Sequence, residues 1–452
     1  MRFFGRECIK KCRSLTVSAR GDMKLHPAEI TDDPLTLEML YREARANGGE
    51  SSFREAIRQR LSEHTRDALT LAWAVRLDLA LPDAIPTTRK GQWQLAIASA
   101  VTLGLLFALL RGGGPPLPVP EVADTLFWVG WGPLAGVVVA LYVIAFDRAR
   151  LRAMVGACLF NLLIAAYTAF AFWRASNDAA QLAALHLPFV IWGALGIGLT
   201  FRDPNAAAHR YAYLVKSFEI VMTAVIYLGA YGVFLGLTTG IFSVLDVTFS
   251  EAATLSAIAW GIGAALMVAL ASAYLPDRLP AEQDWEQGLG RTLRLMTRLL
   301  MPLALLVVGV YLVGYIPFNF GSAFEQRELL VVYNATIVAI IMLLCAAASG
   351  RREQDNQVLR YALLSLAALT LVLNLYALAA IAYRTLELGL TPNRHAVLGW
   401  NIVTLVLLAG ICHSLRPQAN DWACSFSRRV GHLLPVPLVW SVCLLVALPF
   451  FR

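Results

Sequence analysis

The distribution of charge constrains the fold of this chain more than any other feature. Residues 1–90 carry 29 charged side chains, 16 basic and 13 acidic, whereas the 362 residues that follow carry only 40. Most of those 40 sit in short gaps between long apolar runs. A water-soluble fold needs polar residues to cover its surface, and the long second stretch lacks them, so its main solvent must be lipid. The chain is 58% AVILMFWYC and 15% charged, against about 45–50% apolar and ~25% charged in soluble domains. The expected fold class is all-α: a polytopic transmembrane helix bundle of about 11 helices with a small helical cytosolic N-terminal module. The expected divisions are a basic extension at 1–22, a cytosolic helical module at 23–90 and a transmembrane domain at 91–452.

The formal net charge is +7. The basic residues fall in loops that flank apolar runs, where they set orientation and meet anionic lipid. Nucleic acid is therefore not an expected partner. Seven cysteines, Cys8, Cys12, Cys158, Cys345, Cys412, Cys424 and Cys443, are scattered. Cys8 and Cys12 have helical spacing but no second ligand pair, so neither a disulfide framework nor a zinc site is read. No metal and no cofactor are expected.

Residues 1–22 hold Arg2, Arg6, Lys10, Lys11, Arg13 and Arg20 against Glu7 and Asp22. Two readings stand: a targeting or membrane-touching segment, and an extension upstream of a chain that begins at Met23. The first long apolar run starts near Gln92, so no secretory signal is read. Asp33-Pro34 supplies a helix N-cap and a first-turn proline. Asn47-Gly48-Gly49 reads as a stop, and Ser52-x-x-Glu55 as a capping box. Phe53, Ile57 and Leu61 recur on one face, and a further apolar stretch runs from Leu69 to Leu81. This module packs on the bundle, dimerises or binds a cytosolic protein.

Eleven spans follow: 92–110, 126–146, 153–173, 182–200, 211–236, 252–274, 295–316, 329–348, 360–383, 396–414 and 433–450. No internal repeat is visible. With the N-terminus in the cytoplasm, the cytoplasmic loops and adjoining helix ends hold fifteen arginines, from Arg148, Arg150 and Arg152 to Arg416, Arg428 and Arg429. The opposite loops hold five: Arg111, Arg174, Arg327, Arg384 and Arg394. This is the positive-inside pattern.

Lys216 and Glu219 form the ionisable pair deepest in an apolar run. They are three residues apart and share a helix face. Glu219 would lie ~12 Å along the axis from Tyr211, a depth at which charge costs ~2.5–3.5 kcal/mol. One reading is a proton or cation site with Glu219 as carrier; the other is a local ion pair with Lys216 snorkelling to the surface. Gly232, Gly236 and Gly240 give that helix a small-residue face, read as tight packing or as a hinge. Arg291, Arg294 and Arg298 share one side of the next helix but one and form a candidate lipid-facing basic cluster. Pro302 is expected to kink it. Asn161, Asn334, Asn374, Asn401 and His413 read as interhelical hydrogen-bonding groups.

The most specific local pattern is Tyr383-Arg384-x4-Gly389-Leu390-Thr391-Pro392-Asn393-Arg394. Arg384 suits a helix end, and Thr391-Pro392 a helix start. Arg394 opposes the dipole of a first turn and needs a partner, either Glu387 or an external anion. Arg384, Thr391 and Arg394 are thus a candidate external-side anion or loop site.

Together with Pro302-Leu303, Tyr311 and Tyr315, this turn resembles a family of bacterial multi-pass membrane proteins described only as a domain of unknown function. The resemblance covers roughly residues 90–415, most closely 295–405. Where family members often have Tyr before the Gly-Leu-Thr, this chain has Leu388. The resemblance implies a bacterial inner-membrane location and passes on no substrate or catalytic residue.

Three functions are carried forward. The first is a transporter or channel-like protein with Glu219 lining a polar route. The second is a membrane scaffold or sensor engaging a cytosolic partner through 23–90. The third is an enzyme on lipid-linked anionic substrates held by Arg384 and Arg394. No His-Glu-x-x-His, P-loop or Gly-x-Ser-x-Gly supports the third.

Overall fold

The computed structural model describes residues 33–63, 68–77, 79, 89–113, 120–174, 177–201, 203–283, 285, 289–349, 356–416 and 422–450. The basic stretch 1–22 lies outside the described residues. The chain divides into two compact units, 1–91 and 92–452. Among the described residues there is no strand.

The first unit has three short helices: α1 (Pro34–Ala46), α2 (Glu50–Glu63) and α3 (Ala68–Arg76). Asp33 caps α1 through the amide of Thr36 at 3.0 Å. The chain leaves α1 through Gly48, whose φ of 71° lies in the left-handed region where a side chain would be strained. Helix α2 begins at Glu50, not at Ser52. The expected capping box therefore falls inside the helix, and Glu55 pairs with Arg58 instead. Leu37, Phe53, Ile57, Leu61, Trp73 and Leu77 form a core. The rings of Tyr41, Phe53 and Trp73 meet at centroid distances of 5.1 to 5.3 Å. The Arg76 guanidinium lies 4.5 Å from the Trp73 ring centre and pairs with Glu38. That hydrogen bond, with a second from Arg42, holds the Glu38 carboxyl below the usual range.

The second unit holds the long helices: α4 (Arg89–Ala108), α5 (Pro120–Phe146), α6 (Leu151–Arg174), α7 (Asn177–Leu199), α8 (Ala206–Val244), α9 (Glu251–Ala273) and α10 (Gly290–Val310). After the short α11 (Ser322–Glu325) come α12 (Arg327–Ala347), α13 (Gln357–Leu388), α14 (Pro392–Ser414), α15 (Trp422–Leu433) and α16 (Pro435–Ala447). Eleven segments among the described residues are long and apolar enough to cross a membrane. The fold is an all-α polytopic bundle.

Two groups of helices share the apolar core. The larger cluster joins α10, α12, α13, α14 and α15. The others join α4, α5 and α9, and α5, α6, α7, α16 and the start of α14. The first part of α8 touches both sides, with Tyr211 and Val215 in the larger cluster and Ile220 against the α4–α5–α9 cluster.

Side chains stitch helix ends together, and this fixes which ends share a face. Gln92, at the start of α4, donates to the carbonyls of Ala271 and Tyr274 at the end of α9. Arg298 donates to Ala347 at the end of α12 at 3.1 Å. Arg360, 3% exposed, donates to Leu415 just beyond α14 at 3.0 Å. Each satisfies carbonyls that a helix end leaves without partners. These ends define the near face. On the far face Arg384 donates to Phe324 and Glu325. Alternate connections thus lie together, as the sequence-based span count requires.

Two elements depart from expectation. Helix α8 runs for 39 residues, beyond both ends of the expected 211–236. Its residues past Gly236 are uncharged and contain no proline, so nothing stops the helix before the turn at Asp246, which adopts a φ of 56°. The expected last span, 433–450, corresponds to α16 and the turn that follows it, but a further helix precedes it. Trp422–Leu433 forms the separate α15, and Pro435, which has no amide proton, opens α16. Helix α15 is amphipathic: Trp422, Phe426 and Val430 are buried, whereas Arg428, Arg429 and His432 are exposed. Pro302 lies within α10, which continues past it; the irregularity comes later, as a π-helical turn at Tyr311–Tyr315.

Candidate functional site

One face of α8 carries His209, Ala212, Lys216, Glu219 and Thr223, at alternating spacings of three and four. All five are buried. This is the seam spacing of a packed helix, but four of its five residues are polar. Lys216 and Glu219 are each 1% exposed, and Nζ of Lys216 lies 2.9 Å from Oε2 of Glu219. Lys216 also stands 5.2 Å from the ring centre of Trp285. Removing either charge from such a pair would leave the other buried without compensation.

The cover over the pair comes from the segment joining α9 to α10. Gly290, the first residue of α10, lies against the Glu219 carboxylate, so close that a Cβ there would sit 2.9 Å from Oε2. Gly290 thus lets the carboxylate approach the positive end of the α10 dipole. Gln283 holds residues 275–283 in shape by accepting from the Leu275 amide and donating to the Leu275 and Arg278 carbonyls. The segment is fastened to α8 at His209, whose Nδ1 accepts from the Ala281 amide at 3.2 Å. That bond requires the tautomer with hydrogen on Nε2, which faces Asp203 at 3.5 Å.

The depth of the pair differs from the sequence expectation. Tyr231 of α8 bonds to Ala257 of α9 at 2.9 Å and packs on Trp260. Counted from there at ~1.5 Å per residue, Glu219 lies level with the last turn of α9. The pair therefore sits where α9 ends and its connecting segment begins, not in the middle of a span. Neighbouring α7 is anchored to α8 at the same level, through Trp192 to Ser217 at 2.8 Å and Tyr213 to Trp192 at 2.8 Å. It continues for about two turns past Trp192. Oε1 of Glu219 has no hydrogen-bond partner among the described residues. It is a buried acceptor able to take a proton or a small cation.

Most of the polar residues at the candidate external-side site have structural partners. Arg394 donates to Leu388 and Gly389 at 2.8 and 2.7 Å, so the end of α13 supplies the partner its position demanded. Glu387 bonds to Tyr383 instead. Thr391 caps α14, accepting from the Arg394 amide. Of the proposed basic cluster, Arg291 is exposed, Arg294 is 7% exposed and Arg298 is turned onto the end of α12. A lipid-facing role fits Arg291 alone. Gly232, Gly236 and Gly240 have open space where a side chain would project, so no helix of this chain packs closely on that face among the described residues. Asn374 bonds across helices to Thr404 at 2.7 Å. Asn161 is fully buried, with no partner for either amide atom among the described residues.

Sequence reasoning passed over His209 and Trp285. His209 had a signal, because it stands two turns before Lys216 on one face. It also passed over His186, whose Nε2 accepts from Trp400 at 2.8 Å. Among the described residues, no group of three or more His, Cys, Asp or Glu is placed to hold a metal ion. Comparison with known proteins gives no match to any family model, curated protein or solved structure.

Proposed function

We propose that this chain is a transporter or channel-like protein of a bacterial inner membrane, with its near face in the cytoplasm and Glu219 as the group that takes up a proton or cation. One observation carries the reading. A buried carboxylate with an unused oxygen lies where two helix groups meet, beside a polar segment fastened to α8 at His209. The fifteen-to-five arginine asymmetry supports the orientation, and the Tyr-Arg-x4-Gly-Leu-Thr-x-x-Arg turn supports the bacterial family. Arg291, exposed on the near face, would meet anionic headgroups.

The test is proton flux into proteoliposomes loaded with a pH-sensitive dye. Wild-type protein is expected to dissipate an imposed proton gradient, and Glu219→Gln to fall to the rate of empty vesicles while still reconstituting. Equal rates for the two proteins would overturn the assignment of Glu219.

A second reading is favoured by the first unit, which folds around its own apolar core. A scaffold or sensor would use it to hold a cytosolic partner. Loss of a co-purifying protein on deletion of 23–85, with flux absent in wild type, would select this reading.

A further inference from the structure

We infer that α15 is a membrane-surface helix whose Arg428, Arg429 and His432 bind anionic lipid headgroups on the near face. Its sequence, Trp-Ala-Cys-Ser-Phe-Ser-Arg-Arg-Val-Gly-His-Leu, has three basic side chains and no acidic one. Trp422, Phe426 and Val430, each at most 2% exposed, turn one side into the bundle. The three basic residues occupy the exposed side.

Position adds to composition. Helix α14 ends at Ser414 on the near face, beside the buried Arg360. Helix α16 starts at Pro435, directly after α15. Helix α15 therefore joins two apolar segments at one boundary of the bundle, and its basic residues lie within two turns of the next apolar stretch. Cations immediately flanking a span are attracted to an anionic leaflet. The helix is also fixed in place. A Cβ on Gly431 would fall 1.8 Å from the carbonyl oxygen of Ala207, so the α15 backbone lies directly on the first turn of α8. The orientation proposed above places this face against the cytoplasmic leaflet; the lipid assignment does not depend on transport.

Native mass spectrometry of the purified full chain, released from mixed phosphatidylglycerol and phosphatidylcholine micelles, tests this. Wild type is expected to retain phosphatidylglycerol in preference to phosphatidylcholine. The association constant should drop about fivefold for each of Arg428→Gln and Arg429→Gln, the expectation for one cation at an anionic surface. Arg428→Lys and Arg429→Lys should keep binding near wild type, which separates charge from folding. The inference is overturned if wild type shows no preference, or if the Gln variants match wild type. It is also overturned if Arg291→Gln alone lowers retention equally, or if inorganic phosphate at equal concentration displaces the lipid. Failure of the flux experiment with success here would leave the lipid site standing.

Discussion

The two halves of α8 are one continuous helix in opposite surroundings. From Ala207 to Thr223 it is packed on several sides and holds two charged groups, a histidine and a threonine on its inner face. From Val225 to Val244 it is uncharged, mostly apolar and largely bare: Val233, Phe234, Leu237 and Ile241 are each at least 64% exposed. Burial here follows polarity, the reverse of the first unit, where Leu37, Phe53 and Ile57 are hidden and the arginines face out. The lesson is that the bilayer removes any drive to hide apolar surface. What must be enclosed instead is charge and unpaired backbone.

Substitutions can break or sharpen this contrast. The largest effect is expected in the inner half. Glu219→Ala or Lys216→Ala should each destabilise by about 3–5 kcal/mol, because each strands a buried charge. The double variant Lys216→Met/Glu219→Leu should recover most of that loss, and Leu237→Ala in the bare half should stay within about 0.5 kcal/mol. Unfolding in mixed SDS micelles reads all of these. A double variant as unstable as the singles would mean that the pair is not the main interaction at the site.

Next is a change of one methyl group, once against the inner half of α8 and once within its bare half, with opposite signs. Gly431→Ala forces a Cβ onto the Ala207 carbonyl and should cost about 1–3 kcal/mol. Gly236→Ala meets nothing within 4 Å and should stabilise by about 0.4–1 kcal/mol. The same unfolding assay compares them, and equal signs would contradict the packing described for α8.

Arg298→Met removes charge-assisted hydrogen bonds to the end of α12 and should cost about 1.5–3 kcal/mol. Faster amide hydrogen exchange at 345–349 is its local signature.

The smallest effect belongs to the first unit and is a pH effect. The Glu38 carboxyl is held below its usual range by Arg76 and then Arg42. A lowered folded-state pKa gives stability that is complete above the unfolded value, near 4.3. It is lost as pH falls through the lowered folded value. Hydrogen exchange of 34–77 in the full chain should therefore quicken on acidification below about pH 4 beyond the intrinsic change. Glu38→Gln should be quicker at neutral pH and flatter with pH.

Much of the bundle was legible because apolar length and arginine placement are both written in the sequence. All eleven expected spans overlap the eleven helical segments. Boundaries were less legible where no breaker intervenes, as at the far end of α8. The α15–α16 break was signalled only by Pro435. At the site, Lys216 and Glu219 were found because charge in an apolar run is conspicuous. Trp285 and Gly290 were not, because nothing local shows that the α9–α10 segment returns onto α8. Arg394 was correctly seen to need a partner, but its partners are backbone carbonyls, which every residue carries and no pattern reveals.

The stitched helix ends also impose an order on biosynthesis. In three of the near-face stitches the donor is translated before its acceptor: Gln92 precedes Ala271 by 179 residues, Arg360 precedes Leu415 by 55 and Arg298 precedes Ala347 by 49. At ~5–20 residues per second, Gln92 stands idle for roughly 10–35 s while the ribosome reaches its counterpart. On the far face the sequence of events reverses, since Arg384 and Arg394 emerge after the carbonyls they occupy. Nascent α4, α10 and α13 must therefore reside in the translocon's surroundings with their amide or guanidinium groups solvated, and each is released from that requirement only when a later hairpin arrives.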